Sequence, residues 1–147
     1  WMDKMGSVMH VNKGQPATPR CGADVEINGL VLYVLTGFLK LIGDFEVAKD
    51  KKLSDWHKLL EDNFVQAFYN PERKCLKDYL PFEASDEHSN DIRPNQLIPL
   101  ALLDLPVDVH NNCMETVKEH LLPKYGVGIR TLSDKALEYS PYYPDQN

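Results

Sequence analysis

The sequence lacks the cysteine pattern and the positive charge that define several large protein classes. Its three cysteines, Cys21, Cys75 and Cys113, are too few and too scattered for a disulfide framework or a paired metal-binding motif, and their odd number is typical of reduced thiols in the cytoplasm. Lys and Arg number 16 against 22 for Asp and Glu, which gives a formal net charge of −6. Because nucleic-acid binding needs a basic surface, we expect no nucleic-acid partner. The cysteine content leads us to expect a cytoplasmic location.

Long apolar runs and the common cofactor motifs are also missing. The longest apolar segment, residues 29–42, is interrupted by Thr36, Gly37 and Lys40, and it falls short of the roughly 18 residues that span a bilayer. No glycine-rich phosphate loop, nucleophile elbow or HExxH motif occurs, and the five histidines lack metal-ligand spacing. We therefore expect no membrane partner, no cofactor and no metal.

What the sequence does contain predicts a mainly α fold. The 147 residues are consistent with one domain, and 43% hydrophobic and 26% charged residues are typical of a globular protein. Apolar residues at helical spacing predict four helices. These cover residues 24–42, 55–69, 94–103 and, from Asn111 or Asn112, a last segment that ends at residue 122.

Two long connecting segments stand out: residues 4–23 lead into the first predicted helix, and residues 71–93 join the second to the third. The second segment contains one predicted short strand at residues 75–80. Connections of about 20 residues are uncommon in compact helical domains unless they carry function. We therefore expect the functional side chains to lie in or beside these two segments.

Two carboxylates are candidates for acid catalysis or ligand binding, each with a simpler alternative role. Asp3 lies beside Trp1, and an apolar aromatic setting would raise its pKa and suit a general acid. The alternative is a solvated carboxylate near a chain end. Glu26 lies in the first turn of the first predicted helix, where it either points toward a ligand or interacts favourably with the helix dipole.

The segment Arg93-Pro94-Asn95-Gln96 joins the second long connection to the third predicted helix. An arginine offers a planar fork of donors, and amides offer paired donors and acceptors that match sugar hydroxyls. The alternative is helix capping together with a structural ion pair between Arg93 and Asp91.

Four separated segments stand out along the chain: Trp1-Met2-Asp3, the run TPRCGADVEINGL at residues 18–30, Ile92-Arg93-Pro94-Asn95-Gln96, and the run GIRTL at residues 128–132. Their order resembles that of the amylo-α-1,6-glucosidase domain of glycogen debranching enzymes. Each segment alone is modest, but the four in order touch nearly the whole chain.

This resemblance implies a fold, a reaction and a set of site residues. The fold would be part of an (α/α) toroid of the six-hairpin glycosidase type, and the reaction would be inverting hydrolysis of the α-1,6-linked glucose at glycogen branch points. Asp3 matches the aspartate expected to act as general acid. The residues expected to bind the α-glucan are Trp1, Arg20, Glu26, Arg93 and Asn95.

The chain ends before the Tyr-His-Gln-Gly segment into which the family continues, and the catalytic base of the family is expected beyond that point. Residues 1–147 are therefore interpreted as the N-terminal part of one glucosidase domain, inactive alone, with the remaining part of that domain as a partner. Two alternatives stay open, which are a non-catalytic α-glucan-binding protein and a helical scaffold.

Overall fold

A computed structural model describes residues 20–42, 51–82, 87–136 and 139. Of these described residues 59% are helical, and this confirms the predicted mainly α fold. Within them, four helices are present: α1 (Val25–Ile42), α2 (Lys51–Phe68), α3 (Leu97–Leu102) and α4 (Val107–His120). Four short strands form two antiparallel pairs, β1 (Gly22–Asp24) with β4 (Tyr79–Pro81), and β2 (Tyr69–Asn70) with β3 (Cys75–Leu76).

Two helices begin earlier than the sequence predicts. Helix α2 starts at Lys51, whereas the sequence predicts its start at residue 55, so Ser54 lies inside the helix. Helix α4 starts at Val107 because the carbonyl of Pro106 accepts a hydrogen bond from the N–H of His110 at 2.9 Å, and no side chain caps this end. A search for side-chain caps therefore misses the true start of α4.

The third predicted helix consists of a 3₁₀ turn at Pro94–Gln96 followed directly by α3. Pro99 lies in the first turn of α3, where its missing N–H removes no helical hydrogen bond. A methyl group at Gly29 of α1 would lie 2.8 Å from the Pro99 Cβ atom. The contact between α1 and α3 is therefore close enough to require glycine.

The core lies between the inner face of α1 and the helices and strands that follow it. Its buried members are Val25, Leu32, Phe64, Phe68, Leu76, Leu100, Val109 and Cys113. Because Leu32 of α1 and Phe64 and Phe68 of α2 belong to one cluster, these two helices are held together mainly by apolar burial.

The opposite face of α1 is bare. It carries Ile27, Val31, Val34, Phe38 and Leu41, whose side chains are 38–81% exposed. These residues are spaced alternately by four and three positions, which is the spacing of an apolar seam between two packed helices. The structure thus leaves a helix-sized apolar surface uncovered within its described residues.

Helix α1 meets the length and composition criteria of a membrane span, although only 28% of it is buried. The sequence argument rejected a span because polar residues interrupt the apolar run, yet the folded helix reaches 18 residues with Glu26 and Lys40 as its charged members. Core helices of soluble proteins satisfy the same two criteria, so length and composition do not distinguish a membrane-spanning helix from a core helix here.

The pairing of β1 with β4 joins the two long connections that the sequence singles out. Gly22 lies opposite Pro81, and a Cβ atom at Gly22 would lie 1.9 Å from the carbonyl oxygen of Leu80. The strand predicted at residues 75–80 is divided instead into β3 and β4, which pair with different partners. The residues Lys77 and Asp78 form the link between them.

Candidate functional site

The carboxylate of Asp78 lies at the centre of a buried cluster of polar side chains. It is 1% exposed, and its Oδ2 atom lies 2.8 Å from Nε of Arg20 and 3.7 Å from Nε of Arg93. Its Oδ1 atom accepts a hydrogen bond of 2.8 Å from Nδ2 of Asn95. Arg20, Arg93 and Asn95, which are all distant from Asp78 in the sequence, therefore converge on its carboxylate.

Arg20 and Glu26 form the most complete ion pair of this cluster. Nη1 and Nη2 of Arg20 donate to Oε1 and Oε2 of Glu26 at 2.6 and 2.8 Å, and Nη2 also donates to the Asp78 carbonyl at 2.7 Å. The two side chains are only 5% and 10% exposed. Such a two-pronged pair fixes both groups in direction as well as distance.

The backbone around Asp78 is fixed by neighbouring elements. The Val25 N–H in the first turn of α1 donates to the Asp78 carbonyl at 3.1 Å, and the Asp78 N–H donates to the Ser89 carbonyl at 2.8 Å. The 3₁₀ turn at Pro94–Gln96 is tied to β3, because Leu76 N–H donates to the side chain of Gln96 at 3.2 Å. These hydrogen bonds connect the cluster to the start of α1, to the segment that contains Ser89 and to β3.

Burial and pairing act in opposite directions on the pKa values of these groups. Burial raises the pKa of Asp78 above its ordinary value, against the hydrogen bond from Asn95 and the charges of Arg20 and Arg93. For Glu26, burial also acts to raise the pKa, but the hydrogen bond and charge of Arg20 win and hold it below the ordinary value. Burial acts to lower the pKa of Arg20, yet its hydrogen bond with Glu26 and the neighbouring carboxylates raise it.

Carboxylates outnumber guanidinium groups in the described part of this cluster. Arg20 also lies 3.5 Å from Asp24, and Nη2 of Arg93 lies 3.5 Å from Asp91. Two arginines thus face four carboxylates, two of them being Glu26 and Asp78, so an anionic ligand would be repelled. A neutral ligand rich in hydroxyl groups avoids that repulsion.

Arg93 is the arginine of the cluster with donors to spare. Its side chain is 13% exposed, and its ion pairs with Asp78 and Asp91 are long, at 3.7 and 3.5 Å. Within the described residues the guanidinium of Arg93 has no closer partner than these two carboxylates. The structural pair with Asp91, which the sequence offered as the alternative role for Arg93, is therefore present but leaves most of the guanidinium available.

The structure brings together four of the six residues that the sequence singled out, which are Arg20, Glu26, Arg93 and Asn95. Their roles toward a sugar stay predictions. The other two, Trp1 and Asp3, lie outside the described residues. Asp78 was missed, because a single acid inside a strand-like segment carries no local signal and its importance depends on the β1–β4 pairing.

A concave surface lies away from this cluster, between α1, α2 and the segment that follows α3. It is an open groove of about 660 Å³ with mostly apolar walls, including Leu32, Phe64 and Leu105. Thr36 on its wall lies 2.8 Å from Nε2 of His57. None of the sequence-predicted site residues lines it, and no group of His, Cys, Asp and Glu among the described residues could hold a metal ion.

Comparison with known proteins agrees with the family suggested by the four motifs. The family model described as amylo-alpha-1,6-glucosidase matches residues 1–147. The chain is 30% identical to the glycogen debranching enzyme of Saccharomyces cerevisiae over 176 aligned positions. That alignment covers 97% of this chain and 11% of the yeast enzyme, so the chain spans about a tenth of that relative. No solved structure gives a significant match.

These matches define the class of the protein as a glycosidase domain related to glycogen debranching enzymes. More narrowly, the chain belongs to the amylo-alpha-1,6-glucosidase family, which confirms the resemblance drawn from the sequence.

Proposed function

We propose that this chain carries part of the sugar site of an amylo-α-1,6-glucosidase. In the longer enzyme this site would bind the α-1,6-linked glucose of a glycogen branch point for inverting hydrolysis. The observation that carries this proposal is the convergence, around Asp78, of four residues that the family resemblance singled out. These are Arg20, Glu26, Arg93 and Asn95.

Within the cluster the direct sugar contacts fall to Arg93 and Asn95. Within the described residues, Arg93 keeps N–H donors outside any short hydrogen bond, and Asn95 uses only its Nδ2 group toward Asp78, which leaves its side-chain oxygen Oδ1 for a hydroxyl donor. Arg20 and Glu26 use their charged groups on each other, and both side chains are largely buried. Their pair would shape the sugar site without supplying most of its hydrogen bonds.

The catalytic acid in this proposal is Asp3, and none of the described carboxylates of the cluster serves as the catalytic base. An inverting enzyme needs a second carboxylate about 6.5–9.5 Å from the acid, free to activate water. The described carboxylates of the cluster are all ion-paired with Arg20 or Arg93, and Asp78 is shielded from water as well. The chain alone is therefore expected to bind sugar without cleaving it.

The remaining part of the glucosidase domain is the proposed partner of α1. The chain spans 11% of the yeast relative, and the outer face of α1 presents apolar residues at the spacing of a helix–helix seam. Further helices of the longer enzyme would cover this face, which supports assembly into an (α/α) toroid.

Calorimetric titration of the chain tests the sugar assignment. We expect isomaltose, an α-1,6-linked disaccharide, to bind in the millimolar range, and Arg93→Lys to weaken binding by about tenfold because lysine lacks the planar donor fork. Lys58→Arg, the reverse exchange in an exposed ion pair of α2, is the matched control and should leave the affinity unchanged. Absence of binding, or equal affinity in Arg93→Lys, would contradict the proposal.

A non-catalytic α-glucan-binding protein is the second candidate, and the paired carboxylates of the cluster favour it. Linkage preference separates the two functions. A branch-point site should prefer isomaltose, whereas a general glucan-binding surface should bind the α-1,4-linked maltose at least as well. Release of glucose from a limit dextrin by this chain would overturn the expectation that it is inactive alone.

A further inference from the structure

We propose that Asp78 is a positioning residue, whose carboxylate holds Arg93 and Asn95 in the orientation in which they contact the sugar. This inference rests on the proposed function and adds to it a residue that neither the sequence motifs nor the family resemblance singled out. Asp78 acts through its neighbours, because a side chain that is 1% exposed has no access to a ligand.

The two carboxylate oxygens of Asp78 divide their partners. Oδ1 accepts the hydrogen bond from Nδ2 of Asn95 at 2.8 Å, which turns the amide so that its carbonyl oxygen faces away from Asp78. Oδ2 lies 3.7 Å from Nε of Arg93, a distance that attracts the guanidinium without consuming its terminal nitrogens. One carboxylate therefore orients both candidate sugar contacts.

Asp78 is suited to this role because its own position is fixed independently of the sugar. Its carbonyl accepts hydrogen bonds from Val25 N–H and from Nη2 of Arg20, and its N–H is bonded to Ser89. Because both the N–H and the carbonyl of Asp78 are hydrogen-bonded, its backbone holds the side chain in a fixed position. Preorganised contacts of this kind avoid the entropic cost of ordering the site when the ligand binds.

Arg20 serves as the counterion that keeps this arrangement charged. A buried carboxylate without a partner is costly, and burial raises the pKa of Asp78. Nε of Arg20 lies 2.8 Å from Oδ2 of Asp78, while its terminal nitrogens are held by Glu26. Asp91, at 3.5 Å from Arg93 and 17% exposed, gives a second and more solvated contact to the same guanidinium.

The substitution Asp78→Asn, observed by NMR of side-chain N–H groups, tests the proposal. The variant keeps the shape of residue 78 but removes its charge, so we expect the Nε–H signal of Arg93 and the Nδ2 signals of Asn95 to move toward their solvent-exposed positions. Isomaltose affinity should fall about tenfold, the effect of losing a hydrogen bond to a charged group. Unchanged Arg93 and Asn95 signals in a folded Asp78→Asn protein would overturn the proposal.

Glu26→Gln is the matched control for these signals. It also removes one buried negative charge beside Arg20, but Glu26 contacts neither Arg93 nor Asn95 in the described hydrogen bonds and ion pairs. We expect the Arg93 and Asn95 signals of Glu26→Gln to stay at their wild-type positions. Equal displacement in both variants would mean that any loss of buried charge disturbs the cluster, which contradicts a specific role for Asp78.

A pH titration of the unmutated chain keeps the proposal testable if Asp78→Asn does not fold. As the pH falls through the raised pKa of Asp78, protonation should move the carboxyl carbon signal of Asp78 and the side-chain signals of Asn95 and Arg93 with one midpoint. Glu26, whose pKa is lowered, should titrate later. Separate midpoints for Asp78 and Asn95 would overturn the proposal. If these signals behave as expected but isomaltose does not bind, the proposed function fails while the positioning by Asp78 stands.

Discussion

The first turn of α1 and the outer face of the same helix differ in how many of their contact partners the described residues supply. Around the first turn, Glu26 and its neighbour Arg20 are buried and paired through short hydrogen bonds. Along the outer face, large apolar side chains such as Val34 and Leu41 remain bare. Within the described residues the buried charges of the polar cluster are thus paired, whereas the apolar packing of α1 is incomplete.

This difference follows from the cost of each kind of surface. A buried charge must find its partner where it lies, because leaving it unpaired costs several kcal/mol, so the groups around Asp78 come from this chain. An apolar face needs only some apolar cover, which another part of a longer protein can supply. We therefore expect the chain to keep the geometry of its polar cluster even while its outer face of α1 is uncovered.

The largest expected effect comes from breaking the polar cluster with Arg20→Ala. Because this change leaves the buried carboxylates of Glu26 and Asp78 without their main counterion, we expect a loss of about 3–5 kcal/mol in the free energy of unfolding measured with urea. Lys58→Ala is the control, since it removes an ion pair with Asp62 that is largely exposed and should leave the urea midpoint unchanged. A similar midpoint for both variants would mean that the buried cluster adds little to stability.

An intermediate effect is expected from two glycines that lie on different faces of α1. Gly29→Ala places a methyl group 2.8 Å from Pro99 and should destabilise the chain by about 1–3 kcal/mol through overpacking. Gly37→Ala meets no atom of the described residues within 4 Å and should instead stabilise the chain by roughly 0.5–1 kcal/mol through better helix propensity. Thermal unfolding of both variants measures the contrast. Destabilisation by Gly37→Ala would indicate that this side of α1 is covered.

The smallest effect on folding is expected from Val34→Lys on the outer face of α1. Val34 is 60% exposed, so the change in unfolding free energy should stay within about 0.5 kcal/mol. The same change should reduce self-association of the chain, measured by sedimentation, because it interrupts the apolar surface. Gln66→Lys adds the same charge at an exposed polar position of α2 and should leave self-association unaltered. Equal sedimentation of the unmutated chain and Val34→Lys would argue that the face is inert.

The sequence predicted those elements whose signals are local and repeated. Helix α1 was placed to within one residue, because apolar residues at helical spacing continue through the whole of it. The starts of α2 and α4 were missed, since Lys51 lies in a charged stretch that was left out of the predicted helix and Pro106 caps α4 through its backbone alone. Local signals of this kind fail where a helix end depends on backbone geometry.

The candidate site was predictable in part for a similar reason. The motifs that contain Arg20, Glu26 and Arg93 marked these residues, and the structure brings them together. Asp78 escaped notice because its partners become neighbours only when β1 pairs with β4, and that pairing joins segments more distant than any sequence window covers. Long-range strand pairing, and not residue type, therefore decided which acid lies at the centre.

The most direct measurement of the central claim is a side-chain NMR spectrum of the chain at saturating isomaltose. We expect the Nε–H signal of Arg93 and the Nδ2 signals of Asn95 to shift, while the N–H signals of Arg73, which lies in the exposed turn between β2 and β3, stay in place. Shifts confined to the groove between α1 and α2, for example at Tyr33 and Lys40, with Arg93 and Asn95 unchanged, would contradict the claim that the cluster around Asp78 forms the sugar site.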